Sequence, residues 1–323
     1  MRFLLRTFGL LALAGVFAFG AHAQSFPSKP MKIVVPFAPG GSTDVMARLV
    51  AEGLTTRLNA QVMVDNKAGA GGNIGADIVA KSPADGHTLV MGSIGTHATN
   101  SLIYPQMPYD TEKDFEPVTQ VAAVTLVLVT HPSLPVKSVK ELIALLEKEP
   151  GQYNYASGGV GASQHLAGEL FKYMTKTKML HVPYKGSASA LSDLLSGRVP
   201  IMFADLPLVL SHVQSGGLRA LAVGDATRGP ALPNVPTVAE SGVPGYAANA
   251  WYGLFAPAKT PESTIATLQT EVAAILQQPA VRKRMVELGA TPIGSKPAEF
   301  RKFQLSEIRR WKDVVDSAKI RME

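Results

Sequence analysis

The sequence predicts an α/β protein built as a two-domain clamshell, each domain a mostly parallel sheet flanked by helices. Three observations predict it. Short β-branched runs alternate with amphipathic stretches along most of the chain, the rhythm of βαβ units. Two proline-rich passages, 104–117 and 230–244, flank a βα unit in the middle of the chain. Two glycine- and hydroxyl-rich turns, 39–44 and 157–163, each stand between a strand and a helix at matching places in the two units.

The elements follow in order. Residues 33–35 read as a strand, 44–58 as a helix and 62–65 as a second strand. A glycine turn at 69–75 leads into a helix ending at Lys81, and 89–92 is a third strand followed by a polar turn over 93–100. After the first proline-rich passage, 118–130 is long and β-branched, a strand entering a new unit. Ser138 and Glu141 have capping-box spacing for a helix over 138–149. Strands at 153–156, 180–182, 200–203 and 218–223 alternate with helices at 164–173, 188–196 and 207–215. Beyond the second proline-rich passage, 251–256 is a strand, and long helical patterns cover 262–277 and 297–318, with Thr260 as cap and Pro261 at N1 of the first. The simplest topology is discontinuous. Domain I is 24–120 plus 250–323, domain II is 121–249, and strands near 118–121 and 251–255 cross between them as hinges around a cleft.

Residues 1–23 read as a signal peptide: Arg2 and Arg6, an apolar run from Phe8 to Phe19, and Ala21-His22-Ala23 as cleavage site. Export is therefore expected, with a mature chain of about 300 residues, ample for a two-domain core. The absence of cysteine excludes a lipoprotein anchor, disulfides and thiolate metal sites. The net charge of +6 loses two units with Arg2 and Arg6. Basic runs at 282–284 and Arg309–Arg310 have acidic neighbours on helices and read as solvated faces, so no nucleic-acid partner is expected.

The turn Pro39-Gly40-Gly41-Ser42-Thr43-Asp44 admits two readings. One is an ordinary helix start capped by Ser42, Thr43 or Asp44. The other is an anion cradle, in which unpartnered first-turn amides and the Ser42 and Thr43 hydroxyls meet a carboxylate. The matching turn at Ser157–Ser163 favours the second, because the two dipoles would converge on one cleft. Asp44 would repel an anion and is expected to cap the helix or orient the loop. Gly69–Gly75 is no dinucleotide fingerprint, since Ile74 stands where the third glycine belongs, so no cofactor is expected. Asn73 there reads as a contact or a cap. His97 and His165 follow polar turns and either line the cleft or are satisfied structurally, and the histidine spacings give no metal motif. No G-x-S-x-G elbow supports a hydrolase using Ser157 or Ser163. Lys185 is a counter-charge in the cleft or a solvated side chain. Asp205 reaches the solute or caps the turn before Pro207. Phe37 suits a cleft wall, and Trp251 suits the core better.

These segments together resemble the Bug family of periplasmic solute-binding proteins, receptors of tripartite tricarboxylate transporters. The matching stretches are 29–44 (KPMKIVVPFAPGGSTD), 69–75 (GAGGNIG), 95–98 (GTHA), 113–118 (KDFEPV), 155–158 (YASG), 163–170 (SQHLAGEL), 181–186 (HVPYKG), 233–240 (PNVPTVAE) and 251–257 (WYGLFAP). The likeness spans essentially the whole mature chain. It implies a periplasmic-binding fold of type II kind that closes on its ligand, with no catalysis. It implies a monomer that captures a small organic carboxylate or dicarboxylate and passes it to membrane subunits of the transporter. A sensory receptor that presents its closed form to a signalling partner would share every motif. Carried over by position, Phe37, Ala38, Gly40, Gly41, Ser42, Thr43, Ser93, Thr96 and His97 contact the ligand from domain I, and Asn73 joins them on the reading of its own turn. Ser157, Gly158, Ser163, Gln164, Ala204 and Asp205 do so from domain II. At the last pair the chain departs from the family pattern: Ala204 stands where aspartate is frequent and Asp205 where asparagine is frequent. That loop contributes to solute selection, so the ligand is open at this point.

Overall fold

The structure, a computed structural model, describes residues 26–321; the expected leader lies outside the described residues. Strands β1 (Met31–Val35), β2 (Val62–Asn66) and β3 (Thr88–Ser93) run parallel in the order β2–β1–β3. Helices α1 (Ser42–Leu58) and α2 (Asn73–Ala80) make the crossovers. The buried face of α1 carries Met46, Val50 and Leu54 at four-residue spacing, with Ala47 and Ala51 beside them. A short α3 (Asn100–Ile103) precedes β4 (Phe115–Thr130).

The second parallel set follows. Helix α4 (Val139–Lys148) leads to β5 (Asn154–Ser157), α5 (Ser163–Thr175), β6 (Leu180–Pro183), α6 (Ser187–Leu195), β7 (Ile201–Asp205), α7 (Leu206–Gln214) and β8 (Arg219–Val223). Here the order is β6–β5–β7, all parallel. Strand β9 (Asn249–Pro257) returns antiparallel between β3 and β4. The chain ends with α8 (Glu262–Gln277), α9 (Pro279–Glu287), β10 (Ala290–Pro292) and α10 (Pro297–Ala318).

Strand β4 joins the two halves. Residues 115–125 pair with β9 and residues 122–124 with β10, while residues 126–130 pair with β7 and β8. It is central in both sheets, which explains why Val118, Val121, Val124 and the run Leu126–Val129 are all buried. Each such aliphatic side chain contributes roughly 1.5–3 kcal/mol on burial. No helix among the described residues is long and apolar enough to cross a membrane.

Several local expectations need correction. Strand β4 starts at Phe115 and includes Pro117, which sits where the pairing with β9 shifts register between Pro117 and Thr119, a place that tolerates a residue without N–H. Thr260 does not cap α8; its hydroxyl donates to the Pro257 carbonyl, and Pro261 occupies the cap position. Ser138 does accept the Glu141 amide at 3.2 Å, but the Glu141 carboxylate reaches back to Lys137 N rather than to the cap residue. Helix α9 and strand β10 were not foreseen. A Gln-Pro break and a short helix with Arg282, Lys283, Arg284 and Glu287 give little apolar periodicity to read.

Candidate functional site

Helix α1 begins without a side-chain cap. Gly41 occupies the cap position in extended geometry, and its carbonyl accepts Val45 N at 3.0 Å. Ser42, Thr43 and Asp44 are already helical, so none of them caps the helix. The first-turn amides therefore remain open at the positive end of the helix. Asp44 orients the loop instead. Its Oδ2 accepts Gly40 N at 3.0 Å and Arg48 Nε at 2.9 Å, and its Oδ1 accepts Asn66 Nδ2 at 2.9 Å. Burial opposes its ionisation, but the bonds from Arg48, Gly40 and Asn66 outweigh that and hold the carboxyl below its usual range. Gly40 adopts φ +87°, a left-handed turn that a side chain would strain.

In the second half, α5 likewise starts without a side-chain cap, and Gln164 in its first turn reaches across the turn. Its Nε2 donates to Asp205 Oδ2 at 2.9 Å, and the Tyr252 hydroxyl donates to the same oxygen at 2.9 Å. Asp205 is the last residue of β7 and the uncapped start of α7. It is 1% exposed, and its Oδ1 has no partner among the described residues. Burial pushes its carboxyl up to about 6, against the pull of Tyr252, Ser42 and Gln164. Ser42 Oγ lies outside bonding geometry with any partner, yet close enough to favour the charged form.

These groups meet in one pocket between the halves. Phe37, Gly41, Thr43, Ser93 and Tyr252 line it from one side, and Gly158, Ala162, Ser163, Gln164, Ser187 and Asp205 from the other. It lies at the carboxyl ends of β1, β3, β5 and β7, where crossovers leave in opposite directions on each sheet. The starts of α1, α5, α6 and α7 converge there, and among the described residues no lysine or arginine lines it. Its cavity is narrow, about 20 Å³. The halves are closed on each other. Ala38 N donates to Lys185 O at 3.2 Å, Thr99 Oγ1 to Gly161 O at 2.9 Å and the Tyr104 hydroxyl to Val160 O at 3.4 Å.

Other candidates stand behind this surface. Thr96 Oγ1 accepts Ser93 N at 3.0 Å and bonds His97 Nδ1 at 2.8 Å, so it shapes the Ser93 loop from beneath. His97 is fully buried, stacked 3.9 Å from Phe255, and burial holds its imidazole down to about 3. Asn73 receives Asn100 Nδ2 at 2.6 Å and the Tyr109 hydroxyl at 2.9 Å, which makes it a structural bracket. Ser157 is fully buried; its hydroxyl donates to Gly159 O and meets His181 Nε2 at 2.6 Å. The serine–histidine pair thus faces away from the pocket and presents no nucleophile to it. His165 stacks on His181 at 4.0 Å and accepts Gly161 N, again without lining the pocket. Ala38, Gly40, Ser42 and Ala204 flank the lining, Lys185 is exposed, and Trp251 packs against Phe300 and Phe303 in the core.

The tripartite tricarboxylate transporter family receptor profile matches residues 46–320. The chain belongs to this receptor family. It is 42% identical to the protein BugT of Bordetella pertussis over 95% of this chain and 96% of the relative. Among solved structures it is similar to R. palustris Rpa4515 with adipate, at TM-score 0.90 and 41% identity, over 92% of this chain and all of that one. It is also similar to MatC from Rhodopseudomonas palustris with bound malate, at TM-score 0.86 and 34% identity, over 90% of this chain and all of that one. The two-domain α/β architecture of periplasmic solute-binding proteins is common to all of them.

Within this receptor, sequence reasoning missed three lining residues: Ala162, Ser187 and Tyr252. Two signals were present. Gly186-Ser187 is a third glycine–hydroxyl helix start, like the two that were read. On β9, alternation puts Tyr252 on the face opposite Trp251, so core packing by one implies a different fate for the other.

Proposed function

We propose that the chain is a periplasmic receptor that captures a small organic carboxylate between its domains, releases it unchanged and delivers it to the membrane subunits of a tripartite tricarboxylate-type transporter. The observation that carries this reading is the convergence of four uncapped helix starts on a hydroxyl-lined pocket without a cation. Such a pocket stabilises an anion with amides and hydroxyls, and releases it more readily than a guanidinium clamp would. Adipate in one relative and malate in another support a dicarboxylate. The tight closed pocket suits a slender solute that enters with the jaws apart. Phe37, Gly41, Thr43 and Ser93 hold one end, and Gly158, Ser163, Gln164, Ser187 and Asp205 receive the other.

A thermal-shift screen of mono-, di- and tricarboxylates, aromatic acids and amino acids tests this. A bound acid at about 100 times its Kd adds roughly 2.7 kcal/mol of stability. Stabilisation by a sugar or a cation and by no acid would overturn the reading.

A further inference from the structure

Asp205 is an anomaly in a pocket for anions. It is a carboxyl group, 1% exposed, with Oδ2 held by two donors and Oδ1 left without a partner. The other polar lining groups are hydroxyls, the Gln164 amide and helix-start backbone. Among the described residues, no basic side chain lines the pocket to offset a second negative charge. A solute whose far end is an ionised carboxylate would set two like charges together in a buried space, which is strongly unfavourable unless one proton lies between them.

We propose that Asp205 reads the far carboxylate of a dicarboxylate through one shared proton, so that the receptor takes up a proton with its solute. This rests on the carboxylate-receptor reading above. Oδ2 stays the acceptor for Gln164 and Tyr252, and Oδ1 carries the proton and donates it to a solute oxygen. The proton comes from water, and it returns there on release. No covalent bond is made or broken apart from that O–H.

The burial that pushes the Asp205 carboxyl up to about 6 places the group ready to take a proton near neutral pH. Apart from Tyr252, the other titratable groups named on the surrounding elements are engaged elsewhere or lie far from Asp205. Tyr252 on β9 bonds Asp205 directly and is raised well above its usual value by burial and by that carboxylate. Asp44 on α1 turns to Gly40, Arg48 and Asn66. On α5, burial keeps His165 neutral, and Glu169 pairs with Lys172. On α6, Asp193 bonds Tyr184 and Arg198. His212 lies at the far end of α7, and Glu116 at the far end of β4. An ammonium would also match a charged Asp205, but it brings three donor hydrogens to a lining already rich in donors.

The test is calorimetry on the mature protein with succinate and adipate, each against the ω-amino acid of equal length (4-aminobutyrate and 6-aminohexanoate). Titrations run from pH 5.5 to 8 in buffers of different ionisation heat. Dicarboxylate affinity is expected to fall about tenfold per pH unit above about 6, with about one proton taken up per solute. In Asp205→Asn, whose amide donates to the solute at every pH, the dicarboxylate still binds and the slope disappears. A wild-type affinity flat with pH and without buffer-dependent heat overturns the shared proton and leaves the receptor reading standing. So does tighter binding of the ω-amino acids at pH 7.5. Failure of every acid to bind at every pH removes both readings.

Discussion

Burial decides the titration of three histidines and one aspartate in this receptor, and the sign differs between the two kinds of group. His97, His165 and His181 are each pushed down to about 3, chiefly by desolvation. Unfolding returns each to its ordinary value near 6.5, so the unfolded state binds more protons between those limits. Stability from each histidine is therefore complete above pH 6.5 and is lost as pH falls toward 3. Asp205 acts the other way, since its raised folded value favours the native state below about 6. Three imidazoles outweigh one carboxyl. Urea unfolding at pH 7.5, 6.5 and 5.5 should show stability declining below 6.5, by up to about 1.4 kcal/mol per pH unit for each histidine. A flat profile would mean that the imidazoles are solvated.

At the scale of elements, the recurring device is a strand, a glycine turn and a helix that starts without a side-chain cap. The first two examples were legible because glycine and hydroxyl residues cluster between apolar runs at 39–44 and 157–163. The role of the hydroxyls was less legible. Ser157 resembles Ser163 in sequence, yet one hydroxyl turns inward to His181 and the other lines the pocket. Side-chain direction in a turn depends on backbone angles that residue type alone leaves open. Gly41 gives a test at this scale. Its φ of −82° suits any residue, but a Cβ there would stand 2.9 Å from Ser187 Oγ across the cleft. Gly41→Ala should fold normally and bind dicarboxylates at least tenfold more weakly, the penalty of one misplaced methyl group in a tight pocket. Equal affinity by calorimetry would show that α1 and α6 do not close on the solute.

For the whole molecule, closure is written in backbone contacts between the halves. We propose that the two domains expected from the sequence hinge on β4 and β9. Thr99 Oγ1 donates to Gly161 O, and Ala38 N to Lys185 O, across the cleft, and a hinge opening would break both. A ligand shifts the open–closed balance by its preference for the closed form, so weakening the closed form weakens binding. Thr99→Val removes about 1 kcal/mol of hydrogen bonding, which should weaken the Kd about fivefold. It should also leave a larger radius of gyration by small-angle scattering at sub-saturating ligand. An unchanged Kd would place the latch elsewhere.

The sequence by itself determined the alternation of strands and helices, the glycine-rich turns that lead into α1 and α5, and the family, because these rest on local periodicity, punctuation and ordered motifs. Only the tertiary structure decided which polar groups share the pocket. It sent His97, Asn73 and Ser157 inward, brought Ser187 and Tyr252 to the surface of the cleft, and left one oxygen of Asp205 unmatched. The physical reason is that a pocket between two domains is made of residues distant in sequence. Their hydrogen-bond satisfaction is settled only when strands β4 and β9 fix how the halves meet.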